Sequence, residues 1–302
     1  MIDLIVLSGT SNPDLSKQVA RALKLPLGDI EITRFIDNEC RVYIKENVEG
    51  KTVIVIQSLS AVADQYLVEL CLIGHALKSL KAKKAIAVIP WLGYSKQDKE
   101  FRKGEAVSAQ LVAKFIEAAG FDGVISVELH SENVLPYFHI PVIELRTESV
   151  LLTSLRSRLS LEHAVVVSPD KGGKSRSERF ARSAKLPIAY LVKKRDLSTG
   201  VVTVVDIEGA ADEKDVIIFD DIINTGATAI RTSQFLRVHG AKKIYFLATH
   251  AVLAGNASEQ LAKSHIDQVI VTDTIAIAKK RQFPKLSIVS VAPLLSDAIK
   301  TL

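Results

Sequence analysis

Short apolar runs alternate along the chain with stretches of helical period. Residues 5–8, 41–44, 123–128, 164–167 and 188–192 read as strands, and residues 15–23 and 107–119 as helices. Residues 30–35 form a further segment, and a short turn is expected past Pro136. The run Val216-Ile217-Ile218-Phe219 is β-branched and lacks polar alternation, so it reads as a parallel strand buried on both faces. It ends in two adjacent carboxylates, Asp220 and Asp221. The turn Asn224-Thr225-Gly226-Ala227-Thr228 then opens a helix over 229–239, with Ile230, Phe235, Leu236 and Val238 apolar. Alternating strands and helices predict an α/β protein with mainly parallel sheets flanked by helices.

The strand–turn–helix at 216–239 carries chemistry. A glycine-bearing turn at a helix N-terminus presents backbone N–H groups to an anion, and Gly226 permits close approach. Thr225 and Thr228 add hydroxyl donors. Asp220 and Asp221 stand at the strand's carboxyl end, where open α/β sheets bind ligands, and two acids there suit paired sugar hydroxyls. The plain alternative is an acidic strand end followed by an ordinary capped helix.

Composition narrows the class. The 302 residues are 48% apolar and 24% charged, which suits a soluble globular protein of two domains or one large one. No apolar run approaches membrane-spanning length, and Met1-Ile2-Asp3-Leu4 lacks a basic n-region, so neither membrane partner nor signal peptide is expected. Cys40 and Cys71 form no metal or redox pattern and suit a reducing cytoplasm. The net charge of +5, from 39 basic and 34 acidic residues, comes without a basic run interleaved with aromatics; no nucleic acid is expected.

The chain also repeats itself. Residues 51–90 and 214–250 each read as a lysine, an apolar strand, a small-residue turn, a helix, Ala-Lys-Lys (or its Lys-Ala-Lys-Lys variant) and another apolar strand. This predicts two similar domains, 1–146 and 147–302, with the last helix packing back on the N-terminal one. The first copy's turn, Gln57-Ser58-Leu59-Ser60, has neither acid pair nor glycine, so a sugar-phosphate pocket is expected in the second copy only.

Other polar groups gather at predicted strand ends. His130 closes Ser126-Val127-Glu128-Leu129-His130, and Asp170 lies in Ser168-Pro169-Asp170-Lys171-Gly172-Gly173. Lys193-Lys194-Arg195 follows an apolar strand, and Phe35-Ile36-Asp37-Asn38-Glu39 reads as a turn with two acids beside an aromatic. Taken singly, each has an ordinary structural explanation: a hydrogen-bonded histidine, a solvated basic run, a polar turn.

In this order, the segments resemble ribose-phosphate diphosphokinase, the synthetase of phosphoribosyl pyrophosphate (PRPP). The likeness runs from Ser11-Asn12 and Thr33-Arg34-Phe35 through Ile89-Pro90-Trp91-Leu92-Gly93-Tyr94-Ser95-Lys96-Gln97-Asp98 and Leu129-His130. It continues through Val167-Ser168-Pro169-Asp170, the lysine–arginine segment and the acid-pair loop to Ala292-Pro293-Leu294-Leu295. The acid-pair loop alone indicates only phosphoribosyltransferase-like domains; the N-terminal segments narrow the family.

The resemblance implies transfer of a diphosphoryl group from MgATP to the anomeric hydroxyl of ribose 5-phosphate, giving PRPP and AMP. It places the sugar hydroxyls near Asp220 and Asp221 and the sugar phosphate on Asn224, Thr225, Gly226, Ala227 and Thr228. It gives Mg²⁺ to His130 and Asp170, and the transferring phosphates to Lys193 and Arg195 on a mobile loop. ATP falls to Lys96, Gln97 and Asp98, with Phe35, Asp37 and Glu39 from a neighbouring subunit, which implies a homo-oligomer. Lys96, Glu128, Lys171 and Asn224 depart from the common pattern, and none of them removes an implied metal ligand or loop cation. Two alternatives remain: a catalytically silent regulatory subunit of the same family, and a phosphoribosyltransferase.

Overall fold

The structure, a computed structural model, describes residues 4–170, 172–195 and 202–302, except for the side chains of residues 193–195 and 202–203. The chain divides into two units. One comprises Met1–Arg146, Thr274–Ala276 and Ser290–Leu302; the other comprises Thr147–Asp273 and Ile277–Val289.

In the first unit, strand β1 (Leu4–Ser8) leads into helix α1 (Pro13–Ala22) and a hairpin of β2 (Ile30–Arg34) and β3 (Cys40–Ile44). There follow β4 (Thr52–Ile56), α2 (Ala63–Ser79), β5 (Lys84–Ile89), α3 (Ser108–Ala118), β6 (Gly123–Val127) and β7 (Val142–Leu145). The sheet order is β1-β4-β5-β6-β7, parallel throughout. Both faces are covered, which is why the strands read as unbroken apolar runs. Val53 and Val55 face one core with α2 and α3, whereas Ile54 and Ile56 face another with α1.

The second unit begins with α4 (Glu148–Arg156), β8 (Ala164–Ser168), α5 (Lys174–Ala184), β9 (Ile188–Arg195) and β10 (Val202–Glu208). It continues with β11 (Asp215–Ile223), α6 (Ala227–Val238), β12 (Ile244–Ala251), α7 (Ala257–Lys263), β13 (Gln268–Thr272) and β14 (Leu286–Val289). Its sheet runs β10-β9-β8-β11-β12-β13-β14, with β10 the antiparallel member. The five strands β8-β11-β12-β13-β14 repeat the first sheet's order, and each unit inserts an antiparallel ribbon (β2–β3, β9–β10) before its second core strand. The repetition is therefore larger than the strand–helix–strand unit the sequence suggests.

The helices that close the cores are exchanged in sequence. α4 follows β7 but packs within the second unit, where Leu151, Leu152 and Leu155 join Val166 and Ile217. The last helix, α8 (Ala292–Ile299), packs against α1 in the first unit, burying Ala292, Leu295 and Ile299 with Val6, Leu15 and Val19. The i, i+3 and i, i+4 spacings put each set on one face.

Two strands outrun their apolar runs. β9 continues through Lys193-Lys194-Arg195, paired with β10 in the register Lys193↔Val204 and Arg195↔Val202. The expectation that these cations follow the strand is corrected: their backbone belongs to it, because ladder hydrogen bonds are indifferent to side-chain polarity. β11 likewise continues past both acids to Ile223, held by β12 in the register Asp220↔Ala248 and Ile223↔Ala251. Its ladder with β8 ends at Ile218↔Val167, so the acids lie where one neighbouring strand has stopped.

Candidate functional site

In the second unit, one arginine joins the acid pair. Arg176, in the first turn of α5, places Nη1 3.1 Å from Oδ1 of both Asp220 and Asp221. The three side chains retain only 11%, 19% and 3% of their exposure, in that order. Asp220 Oδ1 also accepts from the Asp221 backbone N–H at 2.9 Å. Burial, and then the adjacent Asp221 carboxylate, push the Asp220 carboxyl up to about 8, against the pull of Arg176. Asp170 adds to that push, so three carboxylates share one field. Asp170 itself shapes the turn before α5: its Oδ1 accepts from Gly173 N–H at 2.9 Å, and its carbonyl accepts from Ser168 Oγ at 3.1 Å. Lys171 lies outside the described residues.

Three residues beyond Asp221 the chain forms the turn at Asn224–Thr228. Gly226 adopts φ +76°, a conformation that strains other residues, and a Cβ there would lie 3.2 Å from Leu261 Cγ. The Asn224 carbonyl accepts from Ala254 N–H at 2.8 Å, anchoring the loop. Asn224, Thr225 and Ala227 are exposed and Thr228 half-buried. The loop ends at the N-terminus of the twelve-residue α6, whose first N–H groups and dipole favour an anion. A buried acid pair and a turn suited to an anion are thus consecutive on one strand–turn–helix.

The corresponding place in the first unit is filled by the protein. Glu69 on α2, 1% exposed, accepts from Thr10 N–H and Oγ1 at 2.7 Å each and from Gln57 Nε2 at 2.6 Å. Gln57 Oε1 accepts from Ser11 N–H at 3.0 Å, and Ser11 Oγ from Ser58 N–H at 2.8 Å. A carboxylate therefore takes the donors that an anionic ligand would need.

Phe35, Asp37 and Glu39 form the tip of the β2–β3 hairpin, closed by Phe35 N–H to the Glu39 carbonyl at 2.9 Å. Asn38 sits at φ +70°, and the Phe35 ring is 53% exposed. The shallow depression at the tip is lined by Phe35, Ile36, Asp37 and Glu39, without Lys96, Gln97 or Asp98. Those three follow β5 in a loop pinned where Gly93 presses on Leu59; a Cβ at Gly93 would stand 2.4 Å from the Leu59 carbonyl oxygen. Gln97 Oε1 accepts from Ser108 Oγ at 2.6 Å, bracing the start of α3. Asp98 accepts from Asn133 Nδ2 at 3.0 Å, and its carbonyl from Tyr137 Oη at 2.6 Å. Burial works to raise the Asp98 carboxyl, but bonds from Ser131 and Asn133 outweigh it and hold the group below the usual range. Gln97 and Asp98 thus carry structural bonds whatever else they contact, and Lys96 beside them is half-buried.

His130 is exposed just beyond β6, on a support that sequence reasoning missed. Arg146 gathers Glu128 at 3.3 Å, Glu132 at 3.1 Å and Glu144 at 2.9 Å, and Glu144 also accepts from Leu129 N–H at 2.8 Å. Glu128 is fully buried at φ +43°. Its extra methylene relative to aspartate therefore ends on Arg146. Among the described residues, no group of three His, Cys, Asp or Glu stands where it could hold a metal ion. Asp170 nevertheless offers a hard oxygen donor in a field where carboxylates outnumber cations, which fits a divalent cation. The side chains of Lys193 and Arg195 lie outside the description.

Comparison with known proteins bears on the whole chain. Residues 4–120 match the family model described as the N-terminal domain of ribose phosphate pyrophosphokinase. Residues 176–302 match the phosphoribosyl synthetase-associated domain. Ribose-phosphate pyrophosphokinase of Aquifex aeolicus is 39% identical over 295 residues, covering 98% of this chain and 94% of that protein. The Ralstonia nicotianae protein of the same name is 37% identical, covering 97% and 93%. The crystal structure of phosphoribosylpyrophosphate synthetase from Mycobacterium smegmatis superposes with a TM-score of 0.93 at 34% identity, over 99% of this chain and 98% of that one.

Proposed function

The chain belongs to the ribose-phosphate pyrophosphokinase family, and we propose that it uses the strand–turn–helix of β11 and α6 to present ribose 5-phosphate to MgATP. It is a diphosphotransferase. The anomeric oxygen of ribose 5-phosphate bonds to the β-phosphorus of ATP as the α–β bridging bond breaks; the hydroxyl proton is lost, AMP departs and PRPP remains. The observation that carries this reading is the Asp220–Asp221 pair followed, five residues past Asp221, by the turn glycine Gly226 at the start of α6.

Each group has a physical task. Asp220 and Asp221 accept from the sugar's 2- and 3-hydroxyls, while Asn224, Thr225, Gly226, Ala227 and Thr228 hold its phosphate. Fixing the sugar at both ends orients the anomeric oxygen, and in-line positioning supplies much of the rate in such transfers. Lys193 and Arg195 hold the phosphates of ATP and oppose the charge that spreads over them in the transition state. His130 and Asp170 are the proposed holders of Mg²⁺, which supplies charge neutralisation on the polyphosphate. Mg²⁺ typically takes one or two carboxylates and leaves the rest of its shell to phosphates and water.

For the nucleotide, we assign adenine stacking to Phe35, with Asp37 and Glu39 accepting from the amino group or ribose. Lys96, Gln97 and Asp98 contribute from another copy of the chain, so the active form is a homo-oligomer. A ring 53% exposed on a hairpin tip, set apart from Lys96–Asp98 in its own depression, supports that division. Alanine at Phe35 is expected to weaken ATP binding by roughly 10-fold or more, the scale of one lost base–aromatic stack. Ribose 5-phosphate binding is expected to stay within about twofold; equal loss of both ligands in calorimetric titrations rules out the assignment. No helix among the described residues is long and apolar enough to cross a membrane. A cytoplasmic setting, with ATP at hand and Cys40 and Cys71 unlinked, completes the reading.

The direct test is incubation with ATP, Mg²⁺ and ribose 5-phosphate, followed by phosphorus NMR. Equimolar AMP and PRPP, dependent on the sugar phosphate, is the expected result. ADP with free phosphate, or no turnover with both ligands bound, defeats the assignment.

A further inference from the structure

Arg176 occupies a place that nothing in the sugar-phosphate reading requires. It lies three residues past Gly173, on the helix that starts from the Asp170 turn. From there its guanidinium reaches across to β11 and meets Oδ1 of Asp220 and Oδ1 of Asp221 at the same 3.1 Å. A solvated surface pair needs no such placement, and it stabilises little. Here the guanidinium is 11% exposed and Asp221 3% exposed, so both are held away from water. A single nitrogen, Nη1, bridges the two acids, and a lysine stem ends one bond short of that position.

We propose that Arg176 is a positioning residue that sets the choice of ribose over deoxyribose, by aiming the Asp220 and Asp221 carboxylates at the sugar's adjacent hydroxyls. This inference rests on the assignment of ribose 5-phosphate to β11 and α6. Successive strand side chains point to opposite faces, so two adjacent acids meet one ligand only if something draws both to the same place. With Oδ1 of each tied to one guanidinium nitrogen, the two groups are drawn to one side. Held there, the two carboxyl groups meet the two hydroxyls of a cis-diol as one unit. A sugar lacking the 2-hydroxyl leaves one of those oriented acceptors without a donor. Sites built to hydrogen-bond a hydroxyl reject the analogue that lacks it far better than sites that merely fit it. If the acids turn freely, the penalty for the missing hydroxyl shrinks.

The test compares ribose 5-phosphate with 2-deoxyribose 5-phosphate on the full-length protein, by calorimetric binding and by kcat and KM. Wild type is expected to prefer ribose 5-phosphate in both. Arg176→Gln is expected to raise the dissociation constant and KM for ribose 5-phosphate by roughly 10- to 100-fold. The values for the deoxy sugar are expected to move less than about threefold, so the preference collapses. Arg176→Lys keeps the charge without the bridging nitrogen, and is expected to restore tight binding more than it restores discrimination. ATP affinity and the thermal unfolding midpoint serve as fold controls. Equal weakening of both sugars, or unchanged discrimination in Arg176→Gln, overturns the proposal; should Arg176→Gln not fold, full discrimination in Arg176→Lys does the same. Failure of the underlying assignment looks different: wild type would then bind neither sugar phosphate, or bind them alike.

Discussion

Alanine at Lys193 is expected to lower turnover by roughly 10²- to 10⁴-fold, with ATP affinity held within about threefold. The argument rests on where charge appears. In the proposed MgATP complex the metal compensates the ground-state polyphosphate, so one lysine adds little to binding. In the transition state the diphosphoryl group is loosely bonded at both ends and its oxygens carry spreading charge, which a nearby ammonium stabilises differentially. A loss confined to kcat is the signature of a contact made only there. The backbone of Lys193 is paired with Val204 in the β9–β10 ribbon, so truncation beyond Cβ leaves the ladder intact. Single-turnover kinetics with labelled ATP separates the outcomes: unchanged turnover removes Lys193 from the reaction, and parallel loss of binding and rate makes it an ordinary phosphate contact.

Asparagine at Asp220 is expected to cost function and improve stability together. If Asp220 accepts from the sugar diol as proposed, its loss is expected to raise KM for ribose 5-phosphate by roughly 10²-fold. The stability effect follows from the Asp220 carboxyl, raised from an ordinary 3.8 to about 8 by burial and the adjacent Asp221 carboxylate. A folded-state pKa above the unfolded one means that folding favours the protonated acid. Its contribution is therefore fully present below about pH 3.8 and is lost as the pH rises through about 8. Asparagine carries no such charge, so the variant's advantage should be small near pH 4 and largest above pH 8, on the order of 1–3 kcal/mol or several degrees in Tm. Thermal unfolding at pH 5 and pH 8.5 checks this. An equal shift at both pH values, or a loss of stability at pH 8.5, means that charge repulsion is not what strains the pair.

Much of the molecule is legible in the chain, for one reason: apolar continuity marks strands buried on both faces, and parallel sheets of that kind are stacked from them. Val53–Ile56 and Val216–Phe219 announce themselves, and Gly226 signals the anion turn by residue type alone. What escapes the sequence depends on partners far along it. Arg176 meets acids 44 and 45 residues away, Glu69 meets Thr10 across 59, and Arg146 collects Glu128, Glu132 and Glu144. No local period encodes such pairs. The one available hint for Arg176 was its position in the first turn of a helix opened by Asp170–Gly173, an odd place for a basic residue unless an acid waits opposite. The cations of β9 were misplaced because hydrophobicity falls at Lys193 while backbone pairing continues.

The exchange of closing helices bears on how the protein is made. The β1–α1 face of the first unit waits for α8, whose residues leave the ribosome last among those described. At roughly 5–20 residues per second, Val6, Leu15 and Val19 go without Ala292, Leu295 and Ile299 for on the order of 15 to 60 s. During that interval a nascent chain displays an apolar patch suited to chaperone capture or to misassembly with a neighbouring polypeptide. Cutting after Arg146 would not yield two complete modules either, since the shorter piece lacks α8, which covers its β1–α1 face. The unit translated first is the one completed last.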